Sequence, residues 1–501
     1  SVGGALVLET PDPVFSGTNS VALHAEAGSF GIMNMLAGLQ FTGKNVYSKT
    51  TLFRQSSENN FDYTNIAKKD HPEETQQHAA VLTYGLLQDL SFLITGNQVI
   101  SAAVWYQAAD REIPPLMTAS IANATQADTV LRCFAGYRLS DRRMVIEVKA
   151  AWFDERQEYD DARQSTAYWY HVSTWNGEIS ARISVSRTLL MHAGVSGLHS
   201  AADFREYTKE QERSSLSPFA GIRWEFGKEW RFDAHIRKEF TNLQNGPVSP
   251  VAGIYGRPLP GIVHVSASLG RHYALPTMND LYWVPGGNAD LEPEDAHSGE
   301  LGVVLFSAFR GLPQVSVISY FSCIRNWIRW QPGAGGIYRP DNLREMESYG
   351  IESALKYTKK IRLVTCTVHG RYNFSRSMLS KAENDAEEAL TGQQLTYTPL
   401  HMLSGQFTLA WRRAGITYRH QFTSERFTTG DNKSALDGYQ LGFLALDYEF
   451  HAVKSICKVY VKINNLYDTR YQAMAYYPAP GRWYSAGVKL EIPIKTFNHK
   501  I

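Results

Sequence analysis

No spacing in the 501 residues spells a known catalytic device. GxSxG, HExxH and GxxxxGK[ST] are absent, and Cys133, Cys323, Cys366 and Cys457 stand singly, without the paired spacing of a metal or thiol redox centre. Two other residue classes can still hold a ligand. Tyr282 and Trp283, Trp327 and Trp330, Tyr338, Tyr476 and Tyr477 sit in stretches that read as long loops. Aromatic faces with a few polar anchors, here Asn288, hold large flat or macrocyclic ligands. The same residue types also form girdles at a membrane interface. Acidic residues recur in two further stretches, Asp154, Glu155, Glu158, Asp160 and Asp161, then Glu383, Asp385, Glu387 and Glu388. Converging carboxylates would suit calcium, whereas charge runs in loops are commonly solvated faces.

The totals narrow the setting. Fifty basic against 49 acidic residues leave a net charge of +1, so there is no basic excess for nucleic acid. No run of 18 apolar residues exists, which excludes a transmembrane helix but not a membrane β-barrel, whose strands alternate. The opening SVGGALVLETP lacks the basic and apolar regions of a signal peptide.

Period-2 alternation supplies the elements. Met144, Ile146, Val148, Ala150 and Trp152 fall on one strand face; Tyr484, Ala486, Val488, Leu490 and Ile492 oppose Ser485, Gly487, Lys489 and Glu491 on another. Short connections such as 42–45, 95–97, 140–142, 227–228, 359–360 and 413–415 alternate with long ones at roughly 57–77, 109–127, 156–165, 200–214, 242–250, 273–296, 325–347, 376–393, 425–436 and 465–481. That asymmetry predicts an all-β, 22-stranded antiparallel transmembrane barrel over residues 19–492, with short periplasmic turns and long extracellular loops. The 40–50-residue repeat of a soluble propeller is absent.

The longest excursion, Arg271 to Glu294, lies between two alternating segments. Pro276 and Pro293 stiffen its ends, and Gly286, Gly287 and Asn288 are expected to supply positive-φ positions for its reversal. Near the end of the chain, Pro478 and Pro480 favour an extended approach, and Gly481 a sharp entry into the last strand.

Four stretches together resemble the TonB-dependent outer-membrane receptors. Gly3-Gly4 with the residues to Thr10 is similar to the last plug strand of that family, and Ala27 to Gly31 to its tight first hairpin. Pro276, Asn279, Asp280 and Leu281, then Gly287, Pro293 and Glu294, match its mid-barrel loop. Asn465, Asp468, Pro478, Gly481 and Arg482 match its C-terminal signature. The resemblance implies a receptor, not an enzyme, in the outer membrane of a Gram-negative bacterium, embedded in outer-membrane lipids. It implies uptake of a scarce bulky nutrient, cobalamin or an iron-siderophore chelate, by loop capture followed by TonB-driven plug movement. Residues 1–18 would then be the end of a plug and a linker, and 493–501 a tail beyond the last strand. The resemblance implies a plug and a TonB box ahead of this stretch, and TonB coupling would rest on those parts. Haem receptors of the family tend to carry a histidine in the mid-barrel motif. None lies between Leu275 and Asn288, His272 and His297 being the nearest, which favours cobalamin or a siderophore. Two alternatives stand beside this reading: a passive plugless pore, and a barrel that docks a surface lipoprotein.

Overall fold

A computed structural model describes residues 13–119, 123–161, 166–306, 312–332, 337–382, 388–452 and 455–494. Gly3, Gly4, Glu383, Asp385 and Glu387 lie outside them. The main sheet holds 23 hydrogen-bonded segments. Phe240–Thr241 continues Trp230–Arg237 along the same neighbour, Gln211–Phe226, which leaves the 22 strands expected. Each strand pairs antiparallel with the next, and Asn19–Gly28 closes the ring against Trp483–Ile494 with Val21 opposite Ile492 and Ala25 opposite Val488. Closure leaves no edge, so backbone N–H and C=O groups are satisfied without water.

The alternation explains why this sheet sits in lipid. Leu269 and Leu301 lie on the outer face and are 73% and 64% exposed. On the opposite face charges pair: Arg223 with Asp233 at 2.8 Å, Arg132 with Glu155 at 2.8 Å and Arg111 with Asp128 at 2.8 Å. At the closing seam Tyr460 donates to Glu26 at 2.8 Å, and Lys462 Nζ lies 2.9 Å from the same carboxylate. Outward aromatic residues Phe41, Phe92, Trp224, Trp411 and Phe450 lie close to the short turns. Tyr106, Trp175 and Tyr484 lie about nine residues in from the short-turn ends of their strands, the length a tilted strand needs to cross a bilayer, and mark a second belt.

Many strands run well past that belt. Tyr338–Ile361 has 24 residues, and Thr166–Ser184 and Gln314–Pro332 have 19 each. Several expected loops are therefore strand. Asp154, Glu158, Asp160 and Asp161 belong to Met144–Asp161, and Trp327 and Trp330 to Gln314–Pro332; Tyr338 begins the next strand. The last strand runs through Pro493 to Ile494, past the expected boundary of the tail. Above the seam a small apolar cluster of Phe61, Tyr63 and Met117, with Phe30 packed on it, ties together the loops at 58–80 and 113–119. Arg470 reaches it from the C-terminal loop through the Asp62 carbonyl at 2.7 Å.

Candidate functional site

The mid-barrel connection between Val263–Ala274 and Glu294–Leu305 is organised by a one-turn helix, Met278–Tyr282. Thr277 caps it: its hydroxyl accepts from Asp280 N at 3.1 Å, while Asp280 Oδ2 accepts from Thr277 N at 2.8 Å and Oγ1 at 2.7 Å. The other oxygen, Oδ1, accepts from Trp330 Nε1 at 2.8 Å. Asp280 is thus a carboxylate only 9% exposed with three donors. The Tyr207 hydroxyl donates to Asn279 Oδ1 at 2.5 Å, and Arg213 Nη2 to the Pro276 carbonyl at 2.6 Å.

The second half of the loop is fastened as firmly. Asn288 donates its amide to the Pro340 carbonyl at 3.1 Å and Asp341 Oδ1 at 3.2 Å, and its backbone N–H to the Asp280 carbonyl at 2.7 Å. Glu294 accepts from Ile328 N at 2.9 Å. Of the three residues expected at positive φ, only Gly286 has it, at +129°. A Cβ on Gly287 would instead lie 2.6 Å from Trp283 N, so that glycine serves close approach. Asn288 is 9% exposed, with its side chain engaged in these loop contacts.

Against this frame Tyr282 and Trp283 lean on a wall of aromatic rings. Tyr282 meets Tyr207 edge-on at 6.3 Å, Tyr207 stacks on Phe204 at 4.6 Å, and Phe204 on Tyr170 at 4.9 Å. Trp283 lies 6.4 Å from Tyr168, which lies 6.0 Å from Tyr159. Burial first, and the Asp280 carboxylate next, push the Tyr207 phenol well above its ordinary range, so it remains a hydrogen-bond donor at physiological pH. Tyr159 and Tyr168 also line a cleft of about 790 Å³ at the outer ends of neighbouring strands, with Trp169, Leu82 and Arg111. Its size falls within the range of small-molecule sites, about 300–1,000 Å³.

The remaining candidates disperse. Trp330 is committed to Asp280, whereas Trp327 points to the other side of its strand, near Arg329 at 5.9 Å. Tyr338 is 59% exposed. Tyr476 and Tyr477 project from the C-terminal loop. There Asn465, at φ +48°, donates to the carbonyls of Thr469 at 2.8 Å and Pro480 at 3.2 Å. Asp468 Oδ1 accepts from Arg482 N at 2.7 Å, leaving a Cβ on Gly481 only 2.6 Å from that oxygen. The acidic stretch does not converge either, because Asp161 falls on the opposite strand face from Asp154, Glu158 and Asp160. Asp154 is engaged by His171 at 2.7 Å and Arg156 at 3.1 Å. Among the described residues no group of three or more His, Cys, Asp or Glu side chains could hold a metal ion.

Tyr159, Tyr168, Tyr170, Phe204 and Tyr207 were not among the expected contacts because the strand pairing that brings Tyr170 onto Phe204 leaves no local mark in the sequence. The two-residue spacing of Tyr168 and Tyr170, which puts both on one strand face, is the signal that could have found them.

A closed barrel of this size, with belts at the bilayer edges, long strands beyond one belt and a fastened loop over its mouth, is an outer-membrane barrel of the ligand-receptor type. Residues 28–466 match the family model described as TonB dependent receptor-like, beta-barrel, and the chain belongs to that family in the bacterial outer membrane. It is 37% identical over 91 residues to the vitamin B12 transporter BtuB of Vibrio vulnificus, covering 18% of this chain and 14% of that protein. The BtuB of Vibrio cholerae is 24% identical over 281 residues, covering 55% and 42%. The chain thus spans less than half the length of these relatives. Among solved structures, the FrpB iron transporter of Neisseria meningitidis has a TM-score of 0.77 at 10% identity, covering 95% of this chain and 82% of that one. The siderophore receptor PiuA of Acinetobacter baumannii has 0.77 at 12%, covering 96% and 82%. At such identities the likeness is one of fold.

Proposed function

We propose that this barrel belongs to a receptor that captures cobalamin or an iron-siderophore chelate at the cell surface and passes it inward by TonB-dependent transport, with cobalamin preferred. The observation that carries the reading is the aromatic wall under the mid-barrel loop, Tyr168, Tyr170, Phe204 and Tyr207 facing Tyr282 and Trp283 beside a cleft of about 790 Å³. Such a surface suits a large ligand with extended flat faces. The preference for cobalamin is supported by the sequence relatives named vitamin B12 transporters and by the lack of a histidine between Leu275 and Asn288.

Calorimetric titration of the purified chain with cyanocobalamin and, separately, with a ferric catecholate tests the ligand. Saturable binding of the first alone is expected; binding of the second alone would move the assignment to siderophores. Bilayer conductance tests the passive-pore alternative: a large, steady current that ignores both ligands in the protein isolated from native membranes would replace receptor with pore. Stoichiometric co-purification of a lipoprotein from the same membranes would add a docking partner.

A further inference from the structure

We infer that Asp280 is a positioning residue for the ligand: its carboxylate latches the helix Met278–Tyr282 across an arc of the barrel mouth and thereby holds Tyr282 and Trp283 against the aromatic wall. The inference rests on the receptor reading above and adds a mechanical element to it. The helix is fastened on two sides, by Tyr207 and Arg213 next to or within Gln211–Phe226, and by Trp330 within Gln314–Pro332. Four strands separate those two in the barrel: Trp230–Arg237, Ser249–Leu259, Val263–Ala274 and Glu294–Leu305. At about 4.8 Å per strand the attachments span roughly 24 Å of wall. A loop tied only at its own two strands has no need of such a brace.

The chemistry of the latch is specific to a carboxylate. Both oxygens accept, one from the Thr277 cap and one from the Trp330 indole. An amide at this position offers one acceptor oxygen and two donors; held by the two Thr277 donors, that oxygen leaves the NH2 facing the Trp330 N–H, so the indole bond is the one lost. Among the described residues no other side chain of the helix hydrogen-bonds Trp330. Release of the indole removes the tie between the helix and Gln314–Pro332 and leaves Tyr282 and Trp283 held only through Val284 N on the Glu206 carbonyl and through Asn288, while the barrel, held by its own ladder, stays closed.

Two variants of the full chain test the latch, Asp280→Asn and Trp330→Phe, the second leaving the helix cap intact. Amide hydrogen exchange over 278–288 should speed up about tenfold or more in both, with the strands unchanged and the heat-dependent gel mobility of a folded barrel retained. Cyanocobalamin should dissociate about tenfold faster or more from each, and the double variant should do no worse than the poorer single one, because both remove the same bond. A role in loop folding alone would speed exchange without changing the dissociation rate. Unchanged exchange, or faster exchange with an unchanged dissociation rate, overturns the inference. If the wild-type chain binds neither cyanocobalamin nor a ferric catecholate, the receptor reading has failed, and exchange still decides whether the latch exists.

Discussion

The mid-barrel loop and the C-terminal loop solve the same problem in different ways. Both connect neighbouring strands on the long-loop side, and in both the residues that resemble the family's motifs are fasteners: Asp280 and Asn279 in one, Asn465 and Asp468 in the other. The C-terminal loop is fastened to itself through Asn465 and Asp468 and to neighbouring loops through Arg470 and the Tyr476 carbonyl, and the side chains of Tyr476 and Tyr477 project outward, 45% and 38% exposed. The mid-barrel loop is fastened to distant strands, and its aromatics lie against other aromatics. Residues that resemble a family's motif can therefore be buried fasteners, while an aromatic surface is assembled beside them from several strands.

Replacing Asn465 should have the largest effect on that comparison. Asn465→Ala removes three hydrogen bonds from a side chain 7% exposed and places alanine at positive φ, which should lower the local opening free energy of 465–482 by about 2–4 kcal/mol. Native-state hydrogen exchange would reveal it, with 278–288 unaffected because the two loops are independent; loss of protection in both would break the contrast. Next comes Trp283→Ala, expected to weaken cyanocobalamin about tenfold, since an aromatic contact contributes about 0.5–1.5 kcal/mol beyond its buried area. Tyr477→Ala in the other loop should change affinity less than about twofold, as surface substitutions usually stay within about 0.5 kcal/mol. An equal loss in both would move the site toward the seam. A calcium chelator should leave binding unchanged, because Asp161 faces away from Asp154, Glu158 and Asp160, and Asp154 is already paired with His171 and Arg156; a loss reversed by calcium would contradict that geometry.

The smallest effect concerns pH. Burial raises the pKa of Glu206, whose carbonyl accepts from Val284 N at 3.1 Å. A carboxyl with a raised folded-state pKa disfavours the docked turn while ionised, so docking should strengthen as pH falls through that pKa and level off below the ordinary carboxylate value. Protection of 205–210, corrected for intrinsic exchange, should rise as pH falls from neutrality toward the ordinary carboxylate range and become flat in Glu206→Gln. A fall with acidification would show the sign to be wrong.

Much of the architecture was legible because lipid on one side and water on the other enforce a period of two, as Tyr484 to Ile492 display. The mid-barrel excursion was legible too, from its prolines and glycines. Legibility failed where strands leave the bilayer. From Asp154 to Asp161 both faces meet polar surroundings, the apolar period vanishes, and strand reads as loop. The aromatic wall was hidden for another reason: Tyr170, Phe204 and Tyr207 meet through the pairing of Thr166–Ser184 with Leu189–Phe204, a register no local pattern records. The role of Asp280 was equally remote, since its indole partner lies fifty residues further along the chain.

The most direct test of the account is an equilibrium titration of cyanocobalamin against the purified wild-type chain and Trp283→Ala in parallel. Saturable one-to-one binding, weakened about tenfold in the variant, is the predicted result. Binding that is absent, or equally tight in both proteins, would contradict a cobalamin site built on Trp283 and the wall it faces.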